Sequence, residues 1–239
     1  MTLRYRQVDV FTAVPYRGNG LAVFPERGSL TARQMLAIAG ELRQFESIFL
    51  ASGATPEEVS ARIFTVEEEL PFAGHPVLGA AAVLHADRAA DRERAIWRFV
   101  LQEKTVPVES RKTGMGWAAI MDQGLAVFGP PLARAQEGPF LAALSLTPAD
   151  RPGDLPLQMV STGLPYLIVP LRTDIGRARI AGPGFEALLG SVGAKFVYVL
   201  DPARPEGRTW DNQGAVEDVA TGSAAGPTGA YLVRHGIAR

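Results

Sequence analysis

The sequence predicts two related α+β units, and three observations carry that reading. The 239 residues suffice for two half-size domains, each able to bury its own core. Strand-like and helical runs alternate in the first half, and the second half repeats the same order. Finally, AGHPVLGAAAVL (73–84) laid over TGSAAGPTGAYL (221–232), an offset of 148, matches Gly74 to Gly222, Ala82 to Ala230 and Leu84 to Leu232. Both segments follow an acidic or apolar strand and lead a Gly/Ala-rich helix, as a duplicated unit would. The boundary belongs near residues 113–116, giving units of 1–114 and 115–239.

The elements follow in order. RYRQVDVFTA (4–13) alternates polar residues with Tyr5, Val8, Val10 and Phe11, and GLAVF follows a Gly18-Asn19-Gly20 turn, which predicts strand, turn and strand. Ser29 is the expected start of a helix in which Met35, Leu36, Ala39 and Leu42 recur at the helical spacing. FESIFLA (45–51) and ARIFTVEEEL (61–70) suit strands. Residues 77–90 read as an Ala-rich helix, and AIWRFVL and KTVPVES as the strands that end the half. In the second half WAAIMDQGLAVFG, LQMVSTGLPYLIVPL and KFVYVLDP read as strands, PGFEALLGSVG as a short helix and SAAGPTGAYLVRHG as a helix ending at Gly236. The Pro/Gly-rich stretch 129–156 reads as a surface excursion.

Composition excludes several functions. The formal net charge is −1, with basic and acidic residues interspersed, so there is no footprint for nucleic acid or an anionic membrane. The absence of cysteine removes disulfides, thiolate metal sites and cysteine nucleophiles together. Histidines at 75, 85 and 235 show no paired ligand spacing, so no metal site is expected. There is no phosphate-binding G-x-x-x-x-G-K-[ST] loop, no dinucleotide fingerprint in a strand–helix context and no G-x-S-x-G elbow. The N-terminus lacks an apolar signal core, and no stretch of ~18 residues is apolar enough to span a membrane. A cytoplasmic protein acting on a small molecule is expected.

Candidate site residues gather at the two matched knuckles. A helix N-terminus offers unpaired N–H groups and about half a positive charge, so Gly74 and Gly222 are placed to bring backbone donors close to a carboxylate; equally, small residues there ease helix burial. His75 is a candidate proton carrier or ligand-orienting donor, with a cap or core hydrogen bond as the structural alternative. His85 and His235 take the structural reading, His235 as a cation favoured by a helix C-terminus. In FESIFL, Glu46 shares a strand face with Ile48 and Leu50, and such company would raise a carboxyl pKa from roughly 4.3 toward the range of a general acid/base; alternatively Glu46 reaches water from an edge strand. Asp218 lies close enough to the second knuckle to bind its loop or point to a ligand, and Ser223 sits where an N-cap would.

In this order and spacing, QVDVFT…GNGLAVF, FESIFL, FTVEEELPFAGHPVLGAAAVL, STGLPYLIVPL and EDVATGSAAGPTGAYLVRHG resemble the PhzF-like phenazine-biosynthesis isomerase family over nearly the whole chain. The resemblance implies a diaminopimelate-epimerase-like fold of two similar barrels, each wrapped around a central helix, with the active site in the cleft between them. It implies a cofactor-free isomerase, usually a homodimer, acting on a small carboxylate such as trans-2,3-dihydro-3-hydroxyanthranilate. The family's proton-moving glutamate corresponds to Glu46, its substrate-holding histidine to His75, its aspartate to Asp218 and its ATGS serine to Ser223, with Gly74 and Gly222 as backbone donors. Asn19 of the GNG turn joins the substrate-binding set. Two departures stand out. GRTWDNQG replaces an Arg/Phe-rich strand before the ED motif, and the chain stops at Arg239 where the family has further strands; an unfinished barrel would leave a strand edge unpaired, so either the sequence is cut short or the second barrel is altered. A binding protein without turnover and an epimerase acting at one carbon are the competing readings.

Overall fold

The structure, a computed structural model, describes residues 3–102, 104–172, 174–204, 206–218 and 220–238. It divides into two compact units, Met1–Gln123 and Gly124–Arg239.

In the first unit, strands β1 (Arg6–Val10), β2 (Asn19–Phe24), β3 (Glu46–Ser52), β4 (Glu58–Phe64), β5 (Glu69–Leu70), β6 (Arg94–Val100), β7 (Thr105–Thr113) and β8 (Gly116–Met121) are joined by helices α1 (Ala32–Leu42) and α2 (Gly74–Arg88). The sheet order is β1-β2-β3-β4-β6-β7-β8, with β5 on β4. Only the β2–β3 and β4–β6 pairs are parallel, and these are the two connections that carry the helices, as parallel crossovers require. The sheet curls as a half-barrel around α2, which touches β1, β2, β3, β6, β7 and β8.

Such enclosure explains the composition of α2. A helix surrounded by sheet needs apolar or small residues all round, and Val77, Ala80, Ala81, Val83 and Leu84 pack against Leu21, Ile48, Ile63, Phe99 and Val108 in one core. Gly79 allows the closest approach: a Cβ there would lie 2.6 Å from Leu21 Cδ2 and 2.8 Å from Val10 Cγ2. On the other face of the sheet, Met35 and Ala39 of α1 cover Phe24, Phe49 and Phe64, whose rings meet at 4.3 Å and 5.6 Å. Thr31, rather than Ser29, caps α1, through a capping box with Gln34.

The second unit holds β9 (Val127–Pro131), α3 (Arg134–Ala143), β10 (Gln158–Ser161), β11 (Pro165–Pro170), α4 (Phe185–Gly190), β12 (Phe196–Asp201), β13 (Glu206–Trp210), β14 (Glu217–Asp218) and α5 (Gly222–Arg234). Its sheet runs β14-β13-β12-β11-β10-β9, parallel only between β11 and β12. Helix α5 lies on β10 and β11, where Ala224, Tyr231 and Leu232 meet Val160, Tyr166, Ile168 and Leu200. Helices α3 and α4 belong to a separate core that includes Phe140, Leu141, Phe185 and Leu189.

Three expectations change. WAAIM forms β8 and pairs with β7, so the first unit runs to Gln123 instead of residue 114. The stretch 129–156 is no surface excursion, because α3 carries Phe140 and Leu141 into the core. The strand expected over 61–70 breaks at Thr65, whose N–H bonds to Glu68 O, and β5 folds back on β4.

Candidate active site

Strand β3 begins at Glu46, and its alternation sends Glu46 toward the face of Ile48 and Leu50, the face that packs on α2. Glu46 is only 7% exposed, which excludes the edge-strand reading. Helix α2 begins at Gly74, directly after Ala73, which provides no side-chain cap. His75 is therefore the second residue of the helix and does not cap it. Its Nε2 lies 3.1 Å from Glu46 Oε2. The distance is that of a hydrogen bond, but the ring N–H is not aligned as one. Catalytic contacts are commonly loose in this way before substrate arrives.

The third member of the group is Asn19, the first residue of β2, 3% exposed, whose Nδ2 faces His75 Nδ1 at 3.5 Å. The sequence placed Asn19 among substrate-binding residues; the structure puts its amide against the histidine ring. Burial drives the His75 pKa down from 6.5 to about 3, so the imidazole is neutral at physiological pH. Glu46, His75, Asn19 and the buried Gly74 thus form one cluster at the start of α2.

The second unit assembles Asp218, Gly222 and Ser223 around the start of α5. Asp218 accepts from Ala220 N at 3.2 Å and from Thr221 Oγ1 at 2.6 Å, which ties the loop to the helix entry. The helix is entered from Thr221, so Ser223 is its second residue and not its N-cap. Its hydroxyl instead meets Tyr166 OH at 2.7 Å. Tyr166 stands edge-on to Tyr198, whose pKa is raised by burial first and by the Asp218 charge second.

Tyr166 is the residue that sequence reasoning missed. It lies in STGLPYLIVPL on the same strand face as Ile168, and a phenol on a core-facing stripe requires a hydrogen-bond partner. That requirement was the available signal.

The other histidines are structural. His85 lies 2.8 Å from Ser110 Oγ through Nδ1 and 2.9 Å from Arg92 O through Nε2. His235 lies 3.0 Å from Gln158 Oε1 and packs on Tyr231; burial first, and then Arg234, lower its pKa, so it is not held as the helix-end cation expected. Among the described residues no three His, Asp or Glu side chains gather as metal ligands, and no helix is long and apolar enough to cross a membrane.

Comparison with known proteins agrees with this architecture. A family model described as phenazine biosynthesis-like protein, PhzC-PhzF, matches residues 8–238. The trans-2,3-dihydro-3-hydroxyanthranilate isomerase of Pseudomonas fluorescens is 33% identical over 239 residues, covering 97% of this chain and 80% of that protein. A solved structure titled as a predicted epimerase from Pseudomonas aeruginosa is 51% identical with a TM-score of 0.94, over 99% of this chain and 83% of its own. The PhzF-family phenazine biosynthesis protein of Bacillus anthracis shares the fold, with a TM-score of 0.82 at 23% identity, over 97% and 80% of the two chains. The half-barrel wrapped on α2 and the extent of these matches lead to one conclusion: the chain belongs to the phenazine biosynthesis-like PhzC-PhzF family and is an isomerase.

Proposed function

We propose that the isomerase moves a proton within a small carboxylate by general acid/base catalysis at Glu46, without metal or organic cofactor. The observation that carries this reading is the buried approach of His75 Nε2 to Glu46 Oε2 at 3.1 Å, with the imidazole neutral. A neutral ring N–H, brought into line when substrate binds, holds one carboxylate oxygen without forming a full ion pair, and the proton exchange runs through the other oxygen. Glu46 takes a proton from an activated carbon as the bonding pair shifts into the adjoining π system. The protonated carboxyl exchanges its proton with solvent and then delivers a proton to a second carbon, and the double bond has moved. Gly74 lends backbone N–H to the substrate carboxylate at the start of α2. Asp218, Gly222 and Ser223 are the substrate-orienting residues of the second unit. Similarity to the Pseudomonas fluorescens enzyme makes trans-2,3-dihydro-3-hydroxyanthranilate the first substrate to try. We take the working form to be a cytoplasmic homodimer.

Independence from cofactors rests on the side chains. There is no thiol, and His85 and His235 are engaged by Ser110, Arg92 O and Gln158 and not by Glu46. Activity should therefore survive EDTA and exhaustive dialysis, and a loss that added metal restores would reject this part of the reading.

The name of the 51% identical relative favours a second possibility, an epimerase acting at one carbon. One experiment separates the readings. The protein is incubated in D2O with trans-2,3-dihydro-3-hydroxyanthranilate and with a panel of small amino-acid carboxylates, and products are followed by NMR. A double-bond isomer carrying solvent deuterium at the newly protonated carbon is expected. A stereoisomer deuterated at a single carbon would replace the proposal with epimerisation. Binding without any exchange would mark a protein that has kept the site but not the reaction.

A further inference from the structure

We propose that Asn19 is a positioning residue that sets the tautomer of His75, so that the ring presents its single N–H to Glu46. The argument starts from donors and acceptors. An amide nitrogen donates and cannot accept, and Asn19 Nδ2 is the atom that faces His75 Nδ1 at 3.5 Å. Nδ1 must then carry the lone pair. A neutral imidazole has one ring N–H, which falls on Nε2, the atom 3.1 Å from Glu46 Oε2. The opposite tautomer fails on both sides at once: Nδ1–H would point at an N–H donor, and the Nε2 lone pair would face a carboxylate oxygen in a buried site. Asn19 and His75 are 3% and 5% exposed, so water does not readily replace either partner.

The placement of Asn19 follows from the chain. As the first residue of β2 it pairs in register with Val10 of β1, and Leu21, two residues on, pairs with Glu46. Strand pairing thus holds Asn19 and Glu46 near the same ring. A fixed tautomer matters because Glu46 must change protonation during turnover while its orientation is kept, and a ring free to exchange tautomers would alternately hold and repel the carboxylate.

The catalytic consequence rests on the proton-transfer reading given above, whereas the tautomer is read without substrate, so the two can fail separately. The test uses the full chain with histidine labelled by 15N in the ring, whose nitrogen shifts distinguish the tautomers. There are three histidines to assign, and His85 reports whether the first unit is folded. Wild type should show His75 as the Nε2–H form with no titration between pH 8 and pH 5, given its pKa of about 3. Glu46→Gln should keep that form, because a glutamine amide can face either tautomer and Asn19 alone then decides. Asn19→Asp, nearly isosteric, should put a proton on Nδ1 and lower kcat on the order of tenfold to a hundredfold, with His85 unchanged. An Nδ1–H wild type, an Asn19→Asp ring still bare at Nδ1, or a tautomer mixture in Glu46→Gln would each overturn the proposal. If Asn19→Asp does not fold, the wild-type and Glu46→Gln spectra decide alone.

Discussion

Helix α2 carries two buried histidines, His75 in its first turn and His85 in its last, and their surroundings differ in completeness. Both His85 nitrogens have partners within 2.9 Å, and the ring packs on Trp117 at 4.4 Å. Ser110, in turn, accepts from Trp97 Nε1 at 2.8 Å. His75 has a partner at 3.5 Å on one nitrogen and an unaligned carboxylate at 3.1 Å on the other. Burial is nearly equal, so burial does not mark the functional residue. The loose contact does. A buried polar group short of its hydrogen bonds costs ~1–3 kcal/mol, and a fold retains such a cost where a ligand or a moving proton completes the set.

Exchanging the two histidines for neutral residues should break the comparison most visibly. His85→Leu removes the ring partner of Arg92 O and one partner of Ser110 Oγ, while Trp97 Nε1 keeps its bond to Ser110, so stability should fall by ~1–3 kcal/mol in urea titrations while kcat per folded molecule stays within a few-fold. His75→Gln should do the reverse, losing ~10²-fold in kcat with a smaller loss of stability. If both variants lost stability alike and activity alike, the distinction between them would be wrong.

The pH dependence of stability sharpens the same contrast. Burial lowers the His75 pKa from 6.5 to about 3, so the unfolded chain binds more protons than the folded one between those values. Stability from this group is present above pH 6.5 and is lost as pH falls through the window, by up to ~1.4 kcal/mol per pH unit. His75→Gln should flatten the acid limb by about one proton of uptake on unfolding. An unchanged slope would mean that His75 is protonated inside the fold.

The smallest effect is expected in the second unit. Tyr166→Phe removes the partner of Ser223 and should cost ~0.5–1.5 kcal/mol, read as a thermal shift, with a KM raised a few-fold and kcat nearly kept. A collapse of kcat would give Tyr166 a part in the proton transfer itself.

Much of this was legible in the sequence, for physical reasons. Strand alternation in FESIFL put Glu46 on the core face, and the repeat set Gly74 over Gly222, the residues that open α2 and α5. What stayed hidden depends on contacts distant in sequence. Tyr166 and Ser223 are separated by 57 positions, and nothing local distinguishes Ser223 from the N-cap it resembles. Helix α3 was masked by Gly138 and Pro139, which local propensity reads as loop although Phe140 and Leu141 pull the segment into the core. WAAIM looks like the first strand of a new unit, yet its pairing with β7 completes the old one.

The central claim, that Glu46 carries the proton, is tested most directly by measuring ligand affinity and C–H exchange side by side on Glu46→Gln. Glutamine keeps the size and hydrogen-bonding capacity of the side chain but cannot exchange a proton with carbon. Affinity for the substrate or a stable analogue should stay within a few-fold, while turnover and solvent exchange fall by ~10²-fold or more. Near-normal exchange in Glu46→Gln, with His75→Ala inactive, would contradict the account and move the proton shuttle to the histidine.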